Sequence, residues 1–114
     1  MPDNDEKARR KQILHEVRDQ QRQKTRDAFP ASVLVLKSLF DFLDTKLSEN
    51  DCDDTFRFTR EYTQRNTTDA DGVIRWLEEN GGHCDCESLD NVEQVVSDAV
   101  PGYEDLGRDA NRVN

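Results

Sequence analysis

A chain of 114 residues with 33% apolar side chains holds material for one hydrophobic core and not two. Its net charge of −9 argues against a whole-molecule affinity for nucleic acid or anionic membrane. No apolar run approaches the roughly 20 residues that cross a bilayer, and the N-terminus MPDNDEKARRKQ has no apolar stretch behind it to act as an export signal, so a cytoplasmic location is expected.

Residues 5 to 28 are strong helix formers without internal Gly or Pro, which predicts a helix. Its apolar positions are only Ala8, Ile13, Leu14, Val17 and Ala28, a thin stripe that leaves room for a partner. Between Lys7 and Arg26 it carries Lys7, Arg9, Arg10, Lys11, Arg18, Arg22, Lys24 and Arg26 against Glu16 and Asp19, so a basic arm precedes an acidic body.

Pro30 ends that helix, and Ser32 is placed to cap a second one. Val33, Leu36, Leu39, Phe40, Leu43 and Leu47 follow the spacing of one buried face, while Val35 and Phe42 lie off it and predict cover from several sides. Asp54 or Thr55 is the expected cap of a third helix, with Phe58 and Tyr62 one turn apart. Thr68 or Asp69 starts a fourth, whose inward face is Val73, Trp76 and Leu77 and whose stop is Asn80-Gly81-Gly82. Ser88 is expected to begin a fifth, through Leu89, Val92, Val96 and Val100, before Pro101-Gly102. The predicted fold class is all-α: a single small domain of four or five short helices with a Cys-containing loop and loose termini. Its parts are a basic, partly mobile N-terminal helix at 1–28, a compact helical core at 29–100 and a disordered acidic tail at 101–114.

Three cysteines make an odd count that cannot close into a disulfide framework, and without an export signal they point to a reducing compartment. Cys84 and Cys86 lie in a tight loop before a helix start, and Cys52 lies shortly before another. Helix N-termini favour thiolate, the form that binds metal. Zinc takes about four ligands from loops of this kind. The candidate set is Cys52 with Asp54 and Cys84 with Cys86, with His83 as an alternative ligand. Three readings stand beside one another: a zinc site, a redox-active thiol at Cys84 and Cys86, and buried structural cysteines.

No catalytic constellation is visible. His15 sits among charged neighbours, paired carboxylates such as Asp53-Asp54 and Glu78-Glu79 are explained by solvation and capping, and there is no phosphate-cradling Gly loop or nucleophile elbow. Trp76, at helical spacing from Val73, reads as core.

The blocks LFDFLD (Leu39 to Asp44), CDDTFRFT (Cys52 to Thr59) and WLEENGGHCDCESLDNVE (Trp76 to Glu93) resemble those of small bacterial proteins grouped as domain of unknown function 2695. The resemblance extends from about Lys7 to about Glu93 and brings no known activity. It implies a Cys-Asp-His beside Cys-Asp-Cys; this chain departs from the pattern with Asp54 in place of the histidine and His83 in place of an aromatic. The expectation is a non-enzymatic helical module, with zinc as its candidate cofactor and a protein partner for the N-terminal helix. The alternatives are a thiol redox sensor or enzyme, and a nucleic-acid contact through the basic helix.

Overall fold

The computed structural model describes residues 2–106, with side chains from Arg9 onward. Five helices follow one another: α1 Pro2–Asp27, α2 Val33–Glu49, α3 Arg57–Asn66, α4 Ala70–Glu79, and α5. The last opens as Asp85–Glu87, passes through a π-helical turn at Ser88–Val92 and continues as Glu93–Ala99. A 3₁₀ turn, Tyr103–Asp105, ends the described chain, and there are no strands among the described residues. The all-α expectation holds.

The pattern on α2 explains its central place. Leu36, Leu39, Phe40 and Leu43 are buried, with Val33 and Leu47 packed at the margins of the same core. Residues off that face are covered as well: Phe42 meets Tyr62 of α3 with ring centroids 5.4 Å apart. Ser32 caps the helix as its sequence position predicts, its hydroxyl accepting the Val35 N–H. Helix α4 turns Val73, Trp76 and Leu77 into the core beside Phe40, and Phe29 meets the Trp76 indole edge-on at 5.7 Å.

Helix α4 starts on Asp69, whose carboxylate accepts the Gly72 N–H, and stops on Gly81. Gly81 adopts φ 94°, a left-handed conformation open to a residue without Cβ. The N–H groups of Gly81 and Gly82 then close on the carbonyls of Glu78 and Leu77, the paired bonds of a Schellman stop.

Two expectations are corrected. Helix α5 begins at Asp85 and not at Ser88; Ser88 is fully buried inside the π turn, against Gly82. The loose tail does not begin at Pro101. Tyr103 is buried among the core residues, and Leu106 packs against them. The phenol of Tyr103 donates to the Glu93 carboxylate at 2.7 Å and its ring takes the Lys37 ammonium at 4.7 Å, so polar as well as apolar contacts hold this segment. Residues 107–114, the rest of the expected tail, lie outside the described residues.

Helix α1 rests on the end of α5, where the Arg26 guanidinium donates to the Ala99 carbonyl at 2.8 Å. Further toward its N-terminus, Ile13, Leu14 and Val17 stand in solvent. No described helix is long and apolar enough to cross a membrane.

Candidate metal centre

Two loops build the site. The first, between α2 and α3, is tied down by Arg57: its guanidinium donates to the Asp51 carbonyl at 3.1 Å, pairs with the Asp53 carboxylate at 3.7 Å and lies over the Phe58 ring. Cys52 sits between those two anchors. Asp53 also accepts the Thr55 N–H and hydroxyl, and this hydroxyl bond is the main cause that holds its carboxyl below the ordinary range. Asp54 adopts φ 64°, a left-handed conformation that Asp tolerates better than most residues.

The second loop leaves the Gly81-Gly82 stop, becomes extended at Cys84 and enters α5 at Asp85. In extended backbone, successive side chains point to opposite sides. Cys84 is accordingly buried while its neighbour His83 is exposed.

What joins the loops is Asp85, 1% exposed. Helix α3 has no capping side chain of its own at Phe56. The carboxylate of Asp85 takes that role from 26 and 27 residues away, accepting the Phe58 N–H at 2.9 Å, the Thr59 N–H at 3.0 Å and the Thr59 hydroxyl at 2.7 Å. Its own N–H donates to the Thr55 carbonyl at 3.0 Å. That bond gives the first N–H of α5 an acceptor in the other loop. Each loop therefore caps the helix that follows the other.

The result is a cluster in which the sulfurs of Cys52, Cys84 and Cys86 all lie within 4.8 Å of one another, with Cys84 and Cys86 at 3.3 Å. All three are free cysteines. Burial acts to raise the Cys52 thiol, but the N–H groups of Cys86 and Asp54 and the thiols of Cys86 and Cys84 outweigh it and lower its pKa. Cys86 moves the other way, pushed up to about 12 by its bonds to Cys52 and Cys84 and then by burial. Of these two, Cys52 carries negative charge more readily.

Three sulfurs around zinc at about 2.3 Å would stand about 3.8 Å apart, which lies above the 3.3 Å between Cys84 and Cys86 and inside the 4.8 Å that bounds the group. Of the expected ligands, the structure brings together Cys52, Cys84 and Cys86. Asp54 and His83 are exposed and lie outside that group, so the four-donor ring expected from the sequence reduces to three sulfurs among the described residues. Two contributors escaped the sequence reading, Asp85 and Arg57. The signal for Asp85 was the apolar Phe56 at the start of α3, a helix start in need of an acceptor from elsewhere.

Relatives of this chain match about half of it. A stretch of 58 residues is 38% identical to "Uncharacterized protein Mb2294" of Mycobacterium bovis and to "Uncharacterized protein Rv2271" of Mycobacterium tuberculosis. It covers 51% of this chain and 59% of each relative, so less than two thirds of their length is spanned. No solved structure matches significantly. The family described as "Protein of unknown function (DUF2695)" matches residues 39–91, a narrower span than the resemblance read from the sequence and one that leaves α1 outside. Through that segment, with all three cysteines and the Asp85 cap inside it, the chain is similar to the DUF2695 proteins, as its sequence blocks indicate.

Proposed function

We propose that the protein is a small, non-catalytic helical binding module in which Cys52, Cys84 and Cys86 hold a zinc ion that staples the α2–α3 loop to the start of α5. The observation that carries this reading is the convergence of three free sulfurs from two loops within 4.8 Å. Thiolate donors select borderline and soft cations over magnesium or calcium, and zinc is the common one that needs no redox chemistry. The test is elemental analysis of the full chain purified without an affinity metal. About one zinc per chain is expected, with a lowered melting temperature after chelation, because metal-binding free energy becomes folding free energy. Protein that neither carries zinc nor takes it up on reconstitution would sink the reading.

The contact with a partner is assigned to α1. Its exposed Ile13, Leu14 and Val17 lie among Arg9, Arg10, Lys11 and Arg18, which suits a protein surface with an apolar seat and an acidic rim. Substituting Ile13→Asp with Val17→Asp should abolish association and leave the melting temperature unchanged, since neither side chain is packed. Steeply salt-dependent retention on duplex DNA would instead assign the helix to nucleic acid.

A thiol redox sensor is the second reading, favoured by the 3.3 Å approach of Cys84 to Cys86. Hydrogen peroxide would oxidise two of the thiols to a disulfide and itself be reduced to two molecules of water. Loss of two hydrogens by mass spectrometry, reversed by reductant and blocked by bound zinc, is its signature.

A further inference from the structure

The metal reading leaves a question of coordination, because zinc takes four donors and the chain brings three. We propose that a metal on Cys52, Cys84 and Cys86 keeps an exchangeable fourth position at the protein surface, which accepts a neutral nitrogen donor such as the imidazole of a partner's histidine. The inference rests on the metal reading and adds the class of ligand that completes it.

Burial sets the direction of the open side. Cys84 is 4% exposed, whereas Cys52 and Cys86 are only partly covered, so a metal on the three sulfurs has Cys84 beneath it and solvent on the side between the other two. The nearby donors of the chain are committed elsewhere or lie outside the sulfur group. Asp85 is occupied by its three bonds to Phe58 and Thr59. Asp53 serves Thr55 and Arg57. Glu87 faces the His83 N–H at 3.4 Å, and Asp54 and His83 are exposed and outside the sulfur group. Among the described residues, the donor group holds the three sulfurs and none of these side chains.

Charge then selects the ligand. Three thiolates around a divalent cation leave the centre with a net negative charge. Exposed carboxylates at Asp51, Asp54 and Glu87 surround it in sequence and add to the field, while Asp53 is paired with Arg57. An anionic donor approaches against that field; a neutral imidazole does not, and nitrogen suits zinc as well as sulfur does.

Cobalt(II) bound to the full chain, after the native metal is removed, separates the two levels of the argument. Sulfur-to-cobalt charge-transfer absorption, lost in Cys84→Ser, reports the sulfur centre itself. Imidazole should then shift the cobalt d–d bands along a saturating curve, at lower concentration than azide, an anionic nitrogen donor. The same response is expected in Asp54→Ala and His83→Ala. No charge-transfer band would overturn the metal reading together with this inference. A charge-transfer band with d–d bands that imidazole leaves unmoved would overturn the open position alone, as would bands that move only after Asp54 or His83 is replaced. A stronger response to azide than to imidazole would overturn the choice of a neutral ligand.

Discussion

Asp85 stands between two cysteines, yet it is the residue on which the cluster depends. Without its carboxylate the buried N–H groups of Phe58 and Thr59 lose their acceptor, and each such loss costs about 1–3 kcal/mol. Asp85→Ala should therefore lower stability by about 3 kcal/mol or more in urea denaturation, and separate the two loops enough to weaken metal retention; Asp85→Asn, which keeps one acceptor oxygen, should lose less. Gly82 is constrained for a different reason. A Cβ there would stand 2.9 Å from the Ser88 Cα and 3.0 Å from Val92 Cγ2, the residues that bound the π turn. Gly82→Ala should cost about 1–3 kcal/mol by overpacking, read from the same denaturation curve. Tyr103 supplies a pH dependence. Burial first, then the bond to Glu93, raises its pKa well above the ordinary 10.0. A raised folded-state value means that the stabilisation is complete below the ordinary phenol range and is lost as pH rises, because the unfolded chain gives up the proton first. The stability advantage of the native chain over Tyr103→Phe should shrink above that range.

At the scale of elements, helices α2 and α4 were legible because their signals are local. Ser32 and Asp69 cap within three residues, and the Gly81-Gly82 stop follows from the need for a left-handed residue. The apolar spacing on both helices named the core correctly, including Trp76 beside Phe40. Trp76→Ala should cost about 3–5 kcal/mol, with a large fall in melting temperature, since the indole fills space against Phe29 and the core. The start of α3 was legible only in part: Thr55, one of the two expected caps, accepts the Arg57 N–H, but the Phe58 and Thr59 N–H groups find their acceptor in Asp85, supplied by the loop after α4. Nor was the start of α5: a serine before an apolar run reads as a cap, but here Ser88 is packed inside a π turn with its hydroxyl unpaired. Truncation before Pro101 removes Tyr103 from the core and should cost about 2–3 kcal/mol, the worth of burying one large side chain. An unchanged melting temperature would return that segment to the tail.

Across the whole molecule, charge and packing are divided between two regions. The basic α1 reaches beyond the body and contributes to the 61 Å longest dimension, while the helices that hold the cysteine cluster pack around α2. A zinc ion on the cluster would join loops that are already cross-linked by hydrogen bonds. Its removal should thus lower the melting temperature without abolishing the helical circular dichroism, in contrast to zinc fingers, which unfold without metal. Complete loss of helix on chelation would mean that the bonds of Asp85 to Phe58, Thr59 and Thr55 cannot hold the loops by themselves.

The sequence alone determined the helical class, the buried face of α2, the inward face of α4 and the three cysteines as the chemical feature, because periodicity, caps and residue chemistry act over one or two helical turns. The sequence also grouped Cys52 with Cys84 and Cys86, which the fold brings together; only the tertiary structure decided that Asp54 and His83 stay outside that group and that Tyr103 belongs to the core. Those outcomes depend on long-range contacts: the Asp85 carboxylate reaching α3, the extended backbone at Cys84 turning His83 outward, and the Tyr103 ring returning to the core beside Lys37. No local pattern records such contacts, since each is set by where two distant segments come to lie and not by the residues next to either.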